Sequence, residues 1–173
     1  MSPIEQFAEQ KMAEWGLTEK GWAFTWNNSR RAIGSCKFQR LRHDSIFIHS
    51  RPVKLVKEIR LSRFMLGVIS EDEQRDTVLH EIAHALDFEQ RGTSAHDDTW
   101  KWWAVKVGAK PEPCKRMDAN ERAAIIKRSK YTLRCPNGHE RAAHRVRKHP
   151  TSCGECCPNR FNEAYVFQVI QNY

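Results

Sequence analysis

Between Thr77 and Trp100 the chain reads TVLHEIAHALDFEQRGTSAHDDTW, and three of its eight histidines fall there. His80 and His84 stand four apart. On a helix that spacing puts both on one face, with Cβ atoms about 5–6 Å apart, so they can share one ion without backbone strain. Zinc accepts imidazole nitrogen at about 2.0–2.1 Å. Glu81 projects roughly 100° round the helix from His80, which places it beside such an ion rather than on it. From there it can take a proton from water, the mechanics behind the H-E-x-x-H pattern of zinc proteases. The bland reading is two histidines on the polar side of an amphipathic helix. Cap, helical period and motif all agree against it.

A catalytic zinc needs a third protein ligand and an open position. His96 is the candidate. "EQRGTSAH" lets the chain leave the helix at Gly92 and turn back, and the helix that follows carries a Trp stripe to pack the loop down. Asp87, on the face of His84, and Glu112 or Glu121 downstream are the rivals. A carboxylate at Asp87 could equally orient a ligand from behind.

A second group of metal-type residues lies in "YTLRCPNGHERAAHRVRKHPTSCGECCP". Cys153-x-x-Cys156 is one zinc knuckle. The other half offers Cys135 but has Gly138 where a second cysteine would stand. His139 follows and could complete a Cys₃His site, with His144, His149 and Cys157 as possible substitutes. Such a closed set of four would be structural. Cys36 and Cys114 have no ligand partners nearby in sequence and read as structural.

The elements that must position these residues follow from period and caps. "SPIE" opens a first helix, with Ser2 and Glu5 at capping-box spacing, Pro3 in the first turn, and Ile4, Phe7, Ala8, Met12 and Trp15 on one face before Gly16. "GWAFTWNN" alternates Trp22, Phe24 and Trp26 as a strand. "AIGSCKF", "SIFIHS" and "KEIRLS" are further strands, with "RPVKLV" in or between them. The HEIAH helix starts at a Ser70/Glu73 capping box and stops at Gly92, with Leu79, Ile82, Ala83 and Leu86 facing the core. Asp97 or Asp98 caps the next helix, whose buried stripe is Trp100, Trp103, Ala104 and Val107 before Gly108. "DANERAAIIKRSK" forms a short helix from Asp118, with Glu121 at capping spacing. From about Tyr131 the texture turns to Cys, His, Pro, Gly and Arg, so the expected division is 1–130 and 131–173.

Charge is unevenly placed. Residues 1–100 carry 14 Lys/Arg and 15 Asp/Glu, while residues 101–160 carry 15 and 5. A basic C-terminal part points to a polyanionic partner, most simply nucleic acid; the bland alternative is a solvated face. Lys127, Arg128, Lys130, Arg141, Arg145, Arg147 and Lys148 are the candidate phosphate contacts. No base-reading motif accompanies them, so weak sequence specificity is expected. No apolar run approaches the roughly 20 residues of a bilayer span, and the N-terminus lacks the order of a signal peptide. A cytoplasmic protein, at the nucleoid or in the nucleus if it accompanies DNA, is expected rather than a secreted one. In that reducing compartment cysteines more often bind metal than pair.

HEIAH, a short glycine-containing turn, a third histidine and then a helix bearing an aromatic together resemble the SprT-like zinc metallopeptidases, related to the Spartan proteases. "KEIRLS" before the helix and the zinc-ribbon-like tail fit the same family, over roughly Trp22 to Phe161. The resemblance implies an α+β zincin-like domain, a small mixed or antiparallel sheet plus active-site helices, followed by a small zinc-ribbon-like module. It implies zinc on His80, His84 and His96 and Glu81 as catalytic base. It also favours His139 beside Cys135, Cys153 and Cys156, since C-P-x-G-H resembles the first knuckle of some members. DNA association is implied too and, for Spartan-type members, cleavage of proteins on DNA. Metzincins fit less well, because Asp87 stands where they have a glycine. The expected function is thus a zinc-dependent endopeptidase acting on DNA-associated proteins. The alternative is a zinc-stabilised nucleic-acid-binding or adaptor protein without turnover, and a hydrolase of something other than peptide is a third class. Intact Glu81 favours an enzyme, because a structural site needs no carboxylate between its ligands. No oxyanion partner is assignable; His43, His49 and Tyr131 are the residues of suitable type.

Overall fold

The computed structural model describes residues 1–38, 47–48, 51–52, 56–113 and 117–173. They form a mixed α and β protein with five α-helices and small sheets. The chain divides into two compact units, Met1–Lys115 and Arg116–Tyr173. The short helix at Ala119–Lys127 falls in the second of these units.

The first unit opens with α1, Pro3–Glu14, closed at its start by the Ser2/Glu5 capping box. Strands β1 (Ala23–Asn27), β2 (Gly34–Phe38) and β5 (Lys57–Ser62) form one sheet in the order β1-β5-β2. β5 runs parallel to β1 and antiparallel to β2, with Phe24 opposite Ile59 and Cys36 opposite Ile59 on the other side. Two short strands, β3 (Phe47–Ile48) and β4 (Arg51–Pro52), pair antiparallel. A single turn, α2 (Arg63–Leu66), follows β5 and is capped by Ser62.

The long helix α3, Glu71–Arg91, has the Ser70/Glu73 capping box at its start and Gly92 in the left-handed region (φ 68°) at its end. It packs against α1, β2, β5 and α4, Asp98–Val107. Val78, Ile82, Ala83, Ala85 and Leu86 from α3 meet Ile59 and Leu61 of β5, Ala8 and Met12 of α1, and Trp100 and Ala104 of α4 in one buried cluster. A cap is worth about 1 kcal/mol, whereas full burial of one Leu or Ile is worth roughly 1.5–3 kcal/mol. The caps therefore set where α3 begins and ends, and the apolar face holds it in place. Leu79 is only partly buried, at the margin of the stripe expected from sequence.

In the second unit α5, Ala119–Lys127, begins at an Asp118/Glu121 capping box. Strands β6 (Tyr131–Arg134), β7 (Glu140–Ala143) and β8 (Gln168–Gln171) make an antiparallel sheet in the order β7-β6-β8. Among the described residues no helix is long and apolar enough to cross a membrane.

Candidate metal centres

The α3 spacing brings the His80 and His84 rings together, centroids 5.0 Å apart. After Gly92 the chain turns back, and His96 lies just before Asp97, the N-cap of α4. His96 Nε2 then sits 3.1 Å from His80 Nε2 and 3.0 Å from His84 Nε2. A tetrahedral ion at about 2.0–2.1 Å from each would spread such nitrogens to about 3.3 Å. Three imidazole donors at this spacing fit zinc. Trp100, fully buried on the first turns of α4, lies under all three rings, with centroids 4.7, 5.1 and 4.4 Å from His80, His84 and His96.

Electrostatics favour the same use. Burial, helped by the neighbouring imidazoles, pulls His80 down to about 4 and His84 to about 3. Burial lowers His96 as well. Each of these shifts favours the uncharged imidazole, the form that ligates a metal. His84 Nδ1 lies 2.8 Å from Ser94 Oγ. With Nε2 turned to an ion, Nδ1 carries the proton and donates it to that hydroxyl, the kind of outer contact that fixes a ligand ring.

Glu81 is buried, 7 % exposed, on the side of α3 that meets β2. Burial pushes its carboxyl up to about 8, while a hydrogen bond from the Cys36 backbone N–H works against that shift. A carboxyl that gains and loses a proton near neutrality is suited to general acid–base work. Gly34 on β2 is what lets the strand come so close. A Cβ there would lie 2.6 Å from Thr77 Cγ2 and 2.8 Å from Glu81 Oε1. Cys36, read from sequence as merely structural, is thus a neighbour of Glu81, and burial followed by the Glu81 charge raises its thiol.

The rivals to His96 do not join the cluster. Asp87 is fully buried, with both carboxylate oxygens bonded to Arg91. Glu112 is exposed in the loop after α4, and Glu121 closes the α5 capping box. His43, His49 and Cys114 lie outside the described residues. Tyr131 belongs to β6 of the second unit, with Lys130 Nζ 5.3 Å from its ring.

The second cluster gathers Cys135, His139, Cys153 and Cys156, their ligand atoms all within 4.8 Å of one another. Cys135 Sγ is 3.8 Å from Cys156 Sγ, and His139 Nδ1 is 3.5 Å from Cys135 Sγ and 3.2 Å from Cys156 Sγ. Sulfurs about 2.3 Å from one tetrahedral zinc would stand about 3.8 Å apart, so this donor set fits as well. Two tight turns present it. Gly138, at φ 82°, donates its N–H to Cys135 O, and Cys157 N–H bonds to Cys153 O. Burial and the adjacent thiols push Cys156 up to about 11, so ionising every thiol here calls for a cation. The substitutes fall outside the cluster. His144 bonds Ser129 Oγ, Cys157 Sγ accepts from Arg160, and His149 is exposed.

The candidate phosphate contacts all lie in the second unit and are exposed. Lys127 and Arg128 end α5, Lys130 precedes β6, Arg141 is on β7, and Arg145, Arg147 and Lys148 follow it. Sequence reasoning missed Gly34, Cys36 and Ser94 as neighbours of the histidine site. Their roles depend on strand and loop placement and leave no local signature.

No curated protein matches the chain. The model of the SprT-like family matches residues 4–121, a span that contains the three histidines, Glu81 and the strands and helices that hold them. The chain belongs to the SprT-like family.

Proposed function

We propose that the chain is a zinc-dependent endopeptidase, with a zincin-type catalytic unit and a zinc-ribbon-like second unit, that cuts proteins associated with DNA. One observation carries the reading: His96 Nε2 meets His80 Nε2 at 3.1 Å and His84 Nε2 at 3.0 Å over Trp100, with the buried carboxyl of Glu81 in the same helix turn. His80, His84 and His96 would hold the ion, which when bound supplies Lewis-acid polarisation of a peptide carbonyl. Glu81 takes the proton from the attacking water and delivers it to the departing amine. Cys36 N–H holds the Glu81 side chain in place for both transfers. The four-ligand set of the second unit would be structural, since it leaves no open position. Arg141, Arg145, Arg147 and Lys148, with Lys127, Arg128 and Lys130, support a phosphate-binding role, and a protein that works on DNA in this way would act in the cytoplasm, nucleoid or nucleus.

The test is zinc content together with cleavage of a DNA-bound protein, with and without DNA. Wild type is expected to hold two ions per chain and to cut faster on DNA, because a shared strand raises effective concentration. Glu81→Gln should keep both ions and DNA affinity and lose cleavage. Neutralising Arg141, Arg145, Arg147 and Lys148 together should weaken DNA binding and the stimulation with zinc content unchanged. A Glu81→Gln protein that still cuts, or a wild type with no DNA affinity at low salt, overturns the reading.

A further inference from the structure

Asp87 and Arg91 share α3 with two of the histidines, yet neither joins the three-nitrogen cluster. We propose that Arg91 is a positioning residue that fixes the third histidine in place before any metal arrives; the inference rests on the zinc reading of that site. Asp87 is fully buried, and Arg91 meets it fork to fork, Nε to Oδ1 at 2.5 Å and Nη2 to Oδ2 at 2.9 Å. The same Nη2 reaches Asp97 Oδ1 at 2.7 Å. That oxygen also accepts the Trp100 N–H at 3.1 Å and so caps α4. One guanidinium therefore ties the last turn of α3 to the first turn of α4.

His96 is the residue just before Asp97. Its backbone is held from behind by this tie and from in front by the left-handed turn at Gly92. Ser94, midway in the same loop, meets His84 Nδ1. Trp100, one turn into α4, is the floor on which all three imidazoles rest. A shift of the α4 N-terminus would thus move the third ligand and the floor together.

The two carboxylates play unequal parts. A buried carboxylate that loses its partner is strongly unfavourable, so Asp87 holds the guanidinium at one spot. Asp97 has a side chain 46 % exposed, and a surface pair is worth only about 0–1 kcal/mol. Its link to Arg91 adds little stability. What it adds is geometry, because a planar fork can serve two acceptors in fixed directions and an ammonium cannot. Removing outer contacts of this kind weakens metal binding by about 10–100-fold.

The experiment uses the full chain, with zinc affinity at the histidine site read by competition against a chromophoric chelator. Arg91→Lys keeps a cation beside Asp87 and loses the bridge. Asp97→Asn keeps a good N-cap and loses the charge that Arg91 grips. Arg91→Lys should weaken zinc at the histidine site by about 10–100-fold, and Asp97→Asn by less. In cobalt-loaded protein the thiolate absorption of the second site should be unchanged in both. All six tryptophans lie in the first unit, so tryptophan-monitored melting of metal-free protein should stay near wild type, at least for Asp97→Asn. Wild-type zinc affinity in both variants sinks the clamp. So does a loss of affinity no larger than the loss of metal-free stability, which would make Arg91 a plain staple. A wild type with zinc at the cysteine site alone ends the zinc reading itself, before any variant is made.

Discussion

The two candidate centres are built on opposite plans. The histidine site stands on helices that the core already holds, sixteen buried residues from α1, β5, α3, α4 and the segments between them. The cysteine site stands on turns. In the second unit the buried apolar residues among those described are Leu133 and three cysteines, Cys135, Cys153 and Cys157. In the first unit the fold makes the site. In the second, two of the ligands are themselves much of the core, and a bound ion would make the fold. The contrast predicts that losing metal costs function in one unit and structure in the other.

The largest effect tests that contrast directly. Binding free energy of a structural zinc, on the order of 10 kcal/mol, is largely folding free energy in a unit with so little core. Cys153→Ser should therefore open the second unit to limited proteolysis beyond residue 116 and leave the melting of the first unit, followed by tryptophan fluorescence, near wild type. A second unit as protected as wild type would mean that its sheet holds without the ion.

The mirror experiment is His96→Ala. It should weaken zinc at the histidine site by more than the about 10–100-fold of an outer contact, abolish cleavage, and leave tryptophan-monitored melting of metal-free protein almost unchanged. Chelation of wild type should likewise empty this site first, because three ligands leave one face open. If His96→Ala retains metal, the open side of the site is closed by another residue.

How far the sequence carried depended on how local each feature is. Caps and helical period are local, so α1, α3, α4 and α5 and their starts were legible, down to Ser70 with Glu73 and Asp118 with Glu121. The His80, His84 and His96 cluster was legible because two ligands share a helix face and the third closes a short loop. The β7-β6-β8 sheet was not. Its third strand, Gln168–Gln171, is four residues long, with Val169 and Ile170 between two glutamines, and pairing with β6 makes it a strand. The parallel match of β1 with β5 was equally hidden, since the two are separated by β2 in sequence and period alone gives no partner. Asp87 was read as a possible ligand because face and residue type were visible while Arg91's grip was not.

Gly34 offers a smaller, sharper probe. Gly34→Ala drives a methyl against Thr77 Cγ2 and Glu81 Oε1, and overpacking of this kind costs about 1–3 kcal/mol. Melting should fall, and so should cleavage. Thr77→Ser removes the methyl that makes the closer contact. In the double variant melting should recover while cleavage stays low, because the carboxylate is still displaced. Recovery of both would trace the whole effect to packing.

The smallest effect expected is a pH dependence of the metal-free first unit, and it has two arms of opposite sign. His80 and His84 are held down by burial, to about 4 and about 3, from an unfolded value near 6.5. Below that unfolded value the unfolded chain binds protons that the folded one refuses, so stability is lost as pH falls from about 6.5 toward 4. Glu81 is held up by burial, to about 8 from 4.5. Between those values the folded state keeps a proton that the unfolded one releases, so stability is lost as pH rises through the window. Between about pH 4.5 and 6.5 the two histidines outweigh the one carboxyl, so melting followed by tryptophan fluorescence should peak near pH 6.5 and decline on both sides. Glu81→Gln should flatten the alkaline arm and leave the acid arm. An alkaline arm that persists in Glu81→Gln would mean that another group causes it and that Glu81 is already ionised in the folded metal-free protein, ready to accept a proton from water.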